Sequence, residues 1–434
     1  MNEQRLFIYK ILKTWFSTDK YIEHILSFEK TNFKDNEKRF ISKIIFGVIV
    51  WHYQIEYILK MFYKKSPKLK TKLLLYIGVY ELLFLNSSKN YATVHSLVEI
   101  AKTIEKRSAG FVNAIFRKVI KFRESGEFER FKNDSKIPLD IKYSFPKWLV
   151  KKLQTDFKND TESLLQTFNK EPNRMIRIVK IDKRDEIIQE LQLLKIYKNE
   201  NIYDENFIEI SSFQQLLNHS FFTDGWITIQ DVSTTFPAKL LLQDNPQSVI
   251  DVCSAPGGKL FYLRENMSDK IPLSAYDLDK FRLEKTKENA KRLGLTKINY
   301  SVADAENYEF QKATHFLIDA PCSGLGVIRK KPDLRWRTNE SDISKLINIQ
   351  KNILNNVAKF VDDGGAIIYS TCTIGNDENW NIVNEFLKQN SDFKIQKAIG
   401  TNIPKELIDE KGAIVSLPHL HFCEGSFAVL IEKC

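Results

Sequence analysis

The chain has 434 residues, of which 43% are hydrophobic, and this size and composition are typical of a soluble globular protein with two or three domains. No apolar run reaches the roughly 18 residues that a membrane-spanning helix needs. The start, MNEQRLFIYKILKTWF, lacks the uninterrupted apolar core of a signal peptide. We therefore expect a cytoplasmic protein with no membrane partner. The five cysteines have no framework spacing, and no CxxC pair or His cluster predicts a metal site.

The net charge of +10 is unevenly distributed along the chain. Residues 1–150 hold 28 Lys and Arg against 15 Asp and Glu, whereas the remainder holds 37 against 40. A positive field of this kind attracts polyanions, nucleic acid first among them. A merely solvated Lys-rich surface is the alternative interpretation, and charge alone leaves the two evenly matched.

Five stretches within residues 1–125 carry apolar residues at spacings of three and four, the pattern of amphipathic helices. The third, KLKTKLLLYIGVYELLFL, is apolar nearly all round and predicts the central helix of a bundle. Thr93 is predicted as the N-cap of the fourth. We therefore predict an all-α bundle over residues 1–130, with a polar linker at about 122–145 that Gly and Pro interrupt.

Two further regions follow the bundle. In residues 140–235, NRMIRIVKI and WITIQDVS read as strands around a helical stretch, which predicts a small α+β connector. In residues 236–434, short apolar strands alternate with helices. This alternation predicts a mostly parallel sheet covered on both faces, a Rossmann-like α/β domain.

Acidic residues end three successive strands of that predicted sheet. In VIDVCSAPGGKLFYL a buried strand ends at Asp251, and a turn with two glycines leads into a helix. Such a turn lets a ligand approach the backbone at the carboxyl ends of the strands, although the pattern is neither GxGxxG nor a phosphate-binding P-loop. Asp277 could hold a ribose hydroxyl pair, and Asp304 could face an adenine. This regular placement favours an adenosine-type ligand over three unrelated strand-end acids.

Two cysteines also follow apolar strands, Cys322 in FLIDAPCSGLGVIRKKPDLRWR and Cys372 in YSTCTIG. A single buried cysteine is usually an inert small hydrophobe. Two thiols at one sheet edge, beside a bound ligand, instead favour nucleophilic chemistry. The basic tail after Cys322 is predicted to offer phosphate contacts and, through Trp336, a stacking surface.

These stretches carry a family resemblance. DVCSAPGGK, DAPCSGLGVIRKKPDLRW and YSTCTI resemble the cofactor loop and the two catalytic-cysteine motifs of the Sun/Fmu family of RNA (cytosine-5)-methyltransferases. Upstream, ATVHSLVEIAKTIEKRSAGFVNAIFRKV resembles the helical module shared with the antitermination factor NusB, which indicates the bacterial branch acting on 16S rRNA. The resemblance implies a NusB-like RNA-binding domain, the α+β connector and a Rossmann-like methyltransferase domain that uses S-adenosylmethionine.

The resemblance also implies roles for particular residues. The S-adenosylmethionine loop would comprise Cys253, Ser254, Ala255, Pro256, Gly257, Gly258 and Lys259. Asp277 would bind the ribose and Asp304 the adenine side, and Asp319 would lie between the methionine moiety and the target base. Cys372 would be the nucleophile, and Cys322 would serve in product release.

The chemistry of cytosine C5 explains why thiols are needed but does not rank them. C5 becomes nucleophilic only after a thiolate adds to C6. An enzyme of the DNA cytosine type would use Cys322 for that step, and residue chemistry alone leaves the choice nearly even. The turn DAPC lacks the Asn/Asp-Pro-Pro-aromatic pattern of enzymes that methylate exocyclic amines.

Two functions are therefore compared. The first is a methyltransferase that acts on 16S rRNA, naked or in an assembling small subunit. The second is a non-catalytic RNA-binding assembly or antitermination factor with a vestigial methyltransferase domain. The intact loop and the paired cysteines favour the enzyme, and nothing in the sequence requires more than a monomer.

Overall fold

The computed structural model describes residues 2–29, 31–85, 90–398 and 403–434. The chain divides into two units, Met1–Asn169 with Lys331–Arg337, and Lys170–Lys330 with Thr338–Cys434. The residues predicted as a connector, 140–235, are therefore divided between the units. The division of the chain into three domains stays a prediction.

The regular secondary structure of the first unit is helical in its described residues. Its main helices are α1 Asn2–Ser17, α2 Asp35–Lys60, α3 Leu69–Phe84, α4 Asn90–Glu105, α5 Ala109–Glu124, α6 Glu127–Asn133, α7 Leu139–Lys142, α8 Lys147–Phe157 and α9 Thr161–Phe168. The first five coincide with the five amphipathic stretches of the sequence. Helix α3 is buried on nearly all sides, which confirms its predicted central position.

A charged group lies at the centre of this helical core. Glu81 of α3 is fully buried and accepts hydrogen bonds from Arg5 of α1 at 2.8 and 2.6 Å. Thr93 lies within α4, and its hydroxyl also donates to Glu81, at 2.9 Å. The prediction of Thr93 as an N-cap was therefore wrong, because this hydroxyl satisfies a buried carboxylate instead of a helix terminus.

The predicted linker over residues 122–145 was also wrong. Helices α6 and α7 lie in that region. Phe128 and Phe131 of α6 are buried in the core of the first unit, where Phe128 packs edge-on against Phe84. Two aromatic side chains in a polar stretch are enough to hold a short helix against the bundle.

The second unit begins with a small antiparallel sheet. Its strands are β1 Arg174–Ile178, β2 Tyr197–Asn201, β3 Asp204–Ile210 and β4 Ile227–Ile229, in the spatial order β2-β3-β1-β4. Helix α10, Arg184–Leu193, buries Ile187 and Leu191 in the same apolar cluster as these strands. Strands β1 and β4 and this helix were predicted, whereas the β2–β3 hairpin was not.

A larger sheet fills the rest of the second unit. Its strands are β5 Val249–Asp251, β6 Leu273–Asp277, β7 Asn299–Val302, β8 Ala313–Asp319, β9 Val361–Thr371, β10 Phe393–Gln396, β11 Ile414–Ser416 and β12 Ser426–Lys433. The order is β10-β12-β9-β8-β5-β6-β7, with β11 beside β12. Strands β5 to β9 pair in parallel and β12 is antiparallel to β9, so the mostly parallel sheet is confirmed.

Helices cover both faces of this sheet. They are α12 Phe236–Gln243, α13 Gly258–Asn266, α14 Lys280–Arg292, α16 Glu340–Val357 and α17 Trp380–Gln389. The short helix α11, Ser220–Thr223, packs on the small sheet, and α15, Leu334–Arg337, belongs to the first unit. Successive residues of β8 alternate between two cores, Leu317 with α12 and α13, and Phe316 with α16 and α17. Among the described helices, none combines the length and apolarity needed to cross a membrane.

The strand order creates a switch point. From β5 the chain continues to β6 and β7 on one side, and then crosses to β8 and β9 on the other. Ligands of open α/β sheets bind at the carboxyl ends of the strands where the order reverses in this way. Here those ends carry Asp251 on β5 and Asp319 on β8.

Candidate active site

The cofactor loop, Cys253–Lys259, runs from the end of β5 into the first turn of α13, opens at this switch point and is held by its neighbours. The Ser254 N–H donates to the Tyr276 carbonyl at 2.8 Å, and the Ala255 N–H donates to Asp277 Oδ2 at 3.0 Å. Gly257 has φ +99°, and a Cβ there would lie 2.3 Å from the Phe261 ring. Only glycine fits this position, so the backbone turns tightly into the first turn of α13.

Two buried polar groups beside the loop have no partner within the described residues. They are Asp251 Oδ1 and Ser254 Oγ. Burial, reinforced by the nearby Asp319 carboxylate, raises the pKa of Asp251 well above its usual value. Unsatisfied buried oxygens are costly in a folded protein unless a ligand or water fills the site. They fit a ligand rich in donors, such as the ammonium and hydroxyl groups of S-adenosylmethionine.

The two acidic residues predicted to bind the ribose and the adenine, Asp277 and Asp304, lie at the ends of the next two strands. Asp277 already accepts hydrogen bonds from the N–H groups of Ala255 and Asp279, so it also anchors the cofactor loop. Asp304 follows β7 and accepts from the Glu306 N–H at 3.1 Å. The Ala303 N–H donates to the Asp277 carbonyl, which fixes both acids to one sheet edge. Their contacts with a nucleoside stay predictions.

Lys259, the last residue of the loop, forms an ion pair with Asp319. The Nζ–Oδ2 distance is 2.6 Å, and Lys259 is mostly buried. Burial lowers the pKa of Lys259, but the Asp319 carboxylate more than offsets this and the pKa is raised. A permanent ammonium group therefore stands at the switch point.

The two predicted thiols meet beside this ion pair. Cys322 follows β8 and Cys372 follows β9, and their Sγ atoms lie 3.3 Å apart. The Cys372 backbone N–H points to Cys322 Sγ at 3.4 Å. Parallel pairing of the two strands, with Asp319 opposite Ser370, brings the two turns to the same edge.

The two thiols differ in acidity. A hydrogen bond from the Cys322 thiol and the Lys259 ammonium lower the pKa of Cys372, although burial opposes them. Donation of that hydrogen bond to Cys372, which stabilises the protonated Cys322 thiol, and secondly burial raise the pKa of Cys322 well above its usual value. The backbone N–H at Cys322 Sγ favours the opposite distribution, but an ammonium outweighs one long N–H···S contact. Cys372 is therefore the more acidic thiol of the pair.

Cys253 does not compete with this pair. It lies in the cofactor loop, and burial together with the surrounding carboxylates raises its pKa well above the usual value. A buried neutral thiol is a weak nucleophile. Its predicted place in the cofactor loop is compatible with this environment.

A buried carboxylate that the sequence did not reveal braces both cysteine turns. Glu378 accepts hydrogen bonds from the Ser323 N–H at 2.8 Å and from Gln350 Nε2 at 3.1 Å. Gln350 also donates to the Pro321 carbonyl. Behind Cys372, the Gly326 N–H donates to the Cys372 carbonyl at 3.0 Å. The backbone on each side of the thiol pair is thus fixed.

A second unpredicted group clamps helix α13 from the small sheet. Arg177 of β1 pairs with Glu265 near the end of α13 and donates to Gln230 Oε1 at 2.7 Å. Gln230 Nε2 in turn donates to the carbonyl of Gly258, the first residue of α13, at 3.0 Å. Both ends of the helix that follows the cofactor loop are therefore tied to one arginine. An Arg on β1 and a Gln just after β4 gave no local signal in the sequence that they would meet.

The end of the basic tail after Cys322 does not have the predicted role. Arg335 is fully buried, stacks 3.9 Å from the Phe145 ring centroid and donates to Asn169 Oδ1 at 2.7 Å. The Trp336 indole is half-buried and donates to the Ile49 carbonyl at 2.7 Å. These side chains anchor the segment within the first unit, so they are not free to bind phosphates or to stack on bases.

The beginning of that tail is also committed to the protein. Arg329 pairs with the buried Glu424 at 3.0 Å. Lys330 pairs with Asp231 at 2.8 Å. No cluster of His, Cys, Asp or Glu suited to a metal occurs in the described ranges.

Known proteins match both regions of the chain. A family model for the 16S rRNA methyltransferase RsmB/F matches residues 238–432, and the NusB family model matches residues 2–121. The probable ribosomal RNA small subunit methyltransferase B of Bacillus subtilis (strain 168) is 30% identical over 411 residues, which cover 92% of this chain and 91% of that protein. The ribosomal RNA small subunit methyltransferase B of Proteus mirabilis is 30% identical and covers 83% of this chain and 86% of its own.

Solved structures agree on the fold. The structure of PH0851 has a TM-score of 0.73 at 25% identity and covers 94% of this chain and 93% of its own. NSun6 from Pyrococcus horikoshii, solved with SFG, has a TM-score of 0.57 at 19% identity and covers 67% of this chain and 99% of its own. The second likeness concerns the fold alone.

Geometry and relatives lead to the same assignment. The switch-point loop, its unsatisfied oxygens and the strand-end acids suit S-adenosylmethionine, which is the cofactor of this chain. The relatives that span nearly the whole chain make it an rRNA methyltransferase that acts on the small-subunit RNA. The chain belongs to the 16S rRNA methyltransferase RsmB/F family.

Proposed function

We propose that this enzyme methylates C5 of a cytosine in 16S rRNA, that Cys372 adds to C6 of the base, and that Cys322 assists release of the product. One observation carries the proposal. Two thiols lie 3.3 Å apart at the ends of adjacent strands, and their pKa values are shifted in opposite directions. Methylation of an exocyclic amine would need neither thiol.

The carbon chemistry requires a covalent intermediate. Addition of the Cys372 thiolate to C6 moves the electron pair of the C5–C6 double bond to C5, which becomes the nucleophile. Bound S-adenosylmethionine supplies the electrophilic methyl group. A base must then take the C5 proton, and the electrons of that C–H bond restore the double bond as the bond from Cys372 to C6 breaks.

The two cysteines suit these opposite steps. The Cys322 thiol and the Lys259 ammonium stabilise the Cys372 thiolate before it attacks. Because Cys322 keeps its proton, the same S–H group can donate to the Cys372 sulfur as it departs. Asp319 keeps Lys259 charged from 2.6 Å, which accords with its proposed place between methyl donor and base.

The cofactor loop and strand-end acids complete the proposal. We infer that residues 253–259 bind S-adenosylmethionine, with Asp277 at the ribose and Asp304 on the adenine side. The target cytosine must be unpaired or rotated out of its stack, because a stacked base does not expose C6 to a thiol in a cleft.

The experiment compares two single substitutions by incubation with 16S rRNA and S-adenosylmethionine. Cys372→Ala removes the nucleophile and should abolish both methylation and adduct formation. Cys322→Ala should permit attack and methyl transfer but slow elimination, so protein covalently joined to RNA accumulates. The adduct would be detected as a band of reduced mobility on a denaturing gel.

Cys434→Ala is the matched control, because Cys434 is an exposed free thiol remote in sequence from the motifs. It should methylate like the unaltered protein. An adduct in Cys372→Ala and none in Cys322→Ala would reverse the roles. Normal methylation by Cys372→Ala would contradict covalent catalysis altogether. Failure of the unaltered protein to methylate any 16S rRNA while still binding it would support the non-catalytic alternative.

A further inference from the structure

Ten basic side chains are exposed on connected parts of the helical unit. They lie at the end of α2, in the turn that leads to α3, in the first turn of α3, in the turn before α5, and on α5 itself. We call this surface the basic face, and it consists of Lys60, Lys64, Lys65, Lys68, Lys70, Lys106, Arg107, Arg117, Lys118 and Lys121.

Specific contacts join these segments into one surface. Lys118 of α5 donates to the Phe62 carbonyl at 3.1 Å, and the Phe62 ring packs edge-on against Phe122. At the other side, Thr71 at the start of α3 donates to Glu105 at the end of α4, at 2.9 Å. The lysine-rich turn after α2 is therefore held against α5, and the first turn of α3 is held next to Lys106.

The cations of the basic face are not neutralised by the protein. Within the part of the chain that the structure describes, none of the ten forms an ion pair, whereas Lys72 and Lys102 nearby do. Two nearby carboxylates are engaged elsewhere, Glu56 with Lys72 and Glu105 with Thr71. Ten like charges held together cost free energy unless an anionic partner is bound.

The shape of the basic face suits an extended polyanion, because an open strip runs along α5. Along α5, Gly110, Ala114 and Lys121 are exposed at helical spacing, which gives a strip about 16 Å long between Gly110 and Lys121. A Cβ at Gly110 would meet nothing within 4 Å, so the strip is open. Phe111 and Met61, both partly exposed, lie among the cations and offer surfaces for unpaired bases.

We propose that the basic face is the surface with which the helical unit binds the phosphate backbone of the rRNA substrate. The lysine and arginine side chains of the face neutralise phosphates, but they make no contacts that distinguish one base from another. It holds the RNA, while selection of the cytosine belongs to the catalytic unit. This inference rests on rRNA as the substrate but not on which atom of the base is methylated.

The test uses the full chain with Lys64→Gln, Lys65→Gln and Lys121→Gln combined. Binding to a 16S rRNA transcript would be followed by fluorescence anisotropy over a range of KCl concentrations. Loss of about three phosphate contacts should lower the slope of log K against log salt by about 2 to 3 and weaken binding by tenfold or more at low salt. Cofactor affinity, measured by calorimetry, should not change, which also verifies that the variant folds.

The matched control removes three cations that are ion-paired in the same unit, Lys38, Lys102 and Lys132, again as Gln. It should keep most of the affinity and the slope. Replacing the three test lysines with Arg should restore binding. An unchanged slope in the test variant, or an equal loss in the control, would overturn the inference. A weakened test variant in a protein that forms no Cys372 adduct would instead contradict only the proposed chemistry.

Discussion

The helical and catalytic units use charge in different ways. The basic face of the helical unit carries ten exposed cations, none of which forms an ion pair with another described residue. Around the catalytic site, two charged pairs are largely buried, Lys259 with Asp319 and Arg329 with Glu424. Exposed cations are hydrated and screened by salt, which suits reversible capture of a polyanion. Buried pairs act at low dielectric and shift the acidity of their neighbours, which suits chemistry.

The buried pair of Arg5 and Glu81 gives the sharpest test of this contrast, since it lies in the helical unit. Arg5→Met leaves the Glu81 carboxylate buried with only Thr93 as partner, and should cost about 3–5 kcal/mol of unfolding free energy. Lys102→Met, which breaks the exposed pair with Glu99, should cost less than about 0.5 kcal/mol. Urea denaturation measures both, and equal losses would show that burial does not govern the pairs.

Substitution of Asp277 is expected to have the next largest effect, on cofactor affinity. Asp277→Ala removes the proposed ribose acceptor and also releases the Ala255 N–H, so S-adenosylmethionine binding should weaken by about 1.5–3 kcal/mol. Asp277→Asn keeps an acceptor for that N–H and should lose less. Calorimetry measures both, and RNA affinity without cofactor should stay constant. An unchanged cofactor affinity in Asp277→Ala would remove the ribose site from this strand end.

Substitution of Lys259 tests whether its buried ammonium group lowers the pKa of the Cys372 thiol. Its removal in Lys259→Met eliminates the charge that lowers the pKa of Cys372 and leaves Asp319 unopposed, so that pKa should rise. The acid limb of the pH–rate profile should move to higher pH, and each unit of movement reduces the rate at neutral pH about tenfold. A pH–rate profile with a lower maximal rate but an unchanged acid limb would show that Lys259 has only a structural role.

Gln230 should produce the smallest of these effects, because it acts on the cofactor only through α13. Gln230→Leu removes the hydrogen bond to the Gly258 carbonyl, worth about 0.5–1.5 kcal/mol, and should raise KM for S-adenosylmethionine with little change in kcat. Gln230→Glu keeps the acceptor for Arg177 and loses only the donor. If kcat fell in both variants by the same factor as KM rose, Gln230 would have a role in the chemical step.

The sequence was most informative for residues whose position follows from the end of a single apolar strand. Asp251, Asp277 and Asp319 end apolar strands, and parallel pairing brings such ends to one edge whatever the loops do. The same logic placed both cysteines there. That they would differ in acidity could not be predicted, because the shift depends on Lys259 and on which sulfur accepts the shared hydrogen bond.

The sequence was least informative where packing decides. Arg335 and Trp336 look like RNA contacts in a basic tail, yet Arg335 is fully buried and Trp336 packs against the helical core. The β2–β3 hairpin is polar along much of its length, and it forms because β1 pairs with one side of it. The Arg177 clamp joins two sheets and a helix, a relation that no local pattern records.

The central claim is that, of two thiols whose sulfur atoms lie 3.3 Å apart, Cys372 is the more acidic. The direct measurement is alkylation of the native protein by iodoacetamide across a pH range, with the modified peptides identified by mass spectrometry. The account predicts that Cys372 is alkylated first, with a midpoint below that of an ordinary thiol, and that Cys322 reacts only at much higher pH. Preferential alkylation of Cys322 near neutral pH would contradict it.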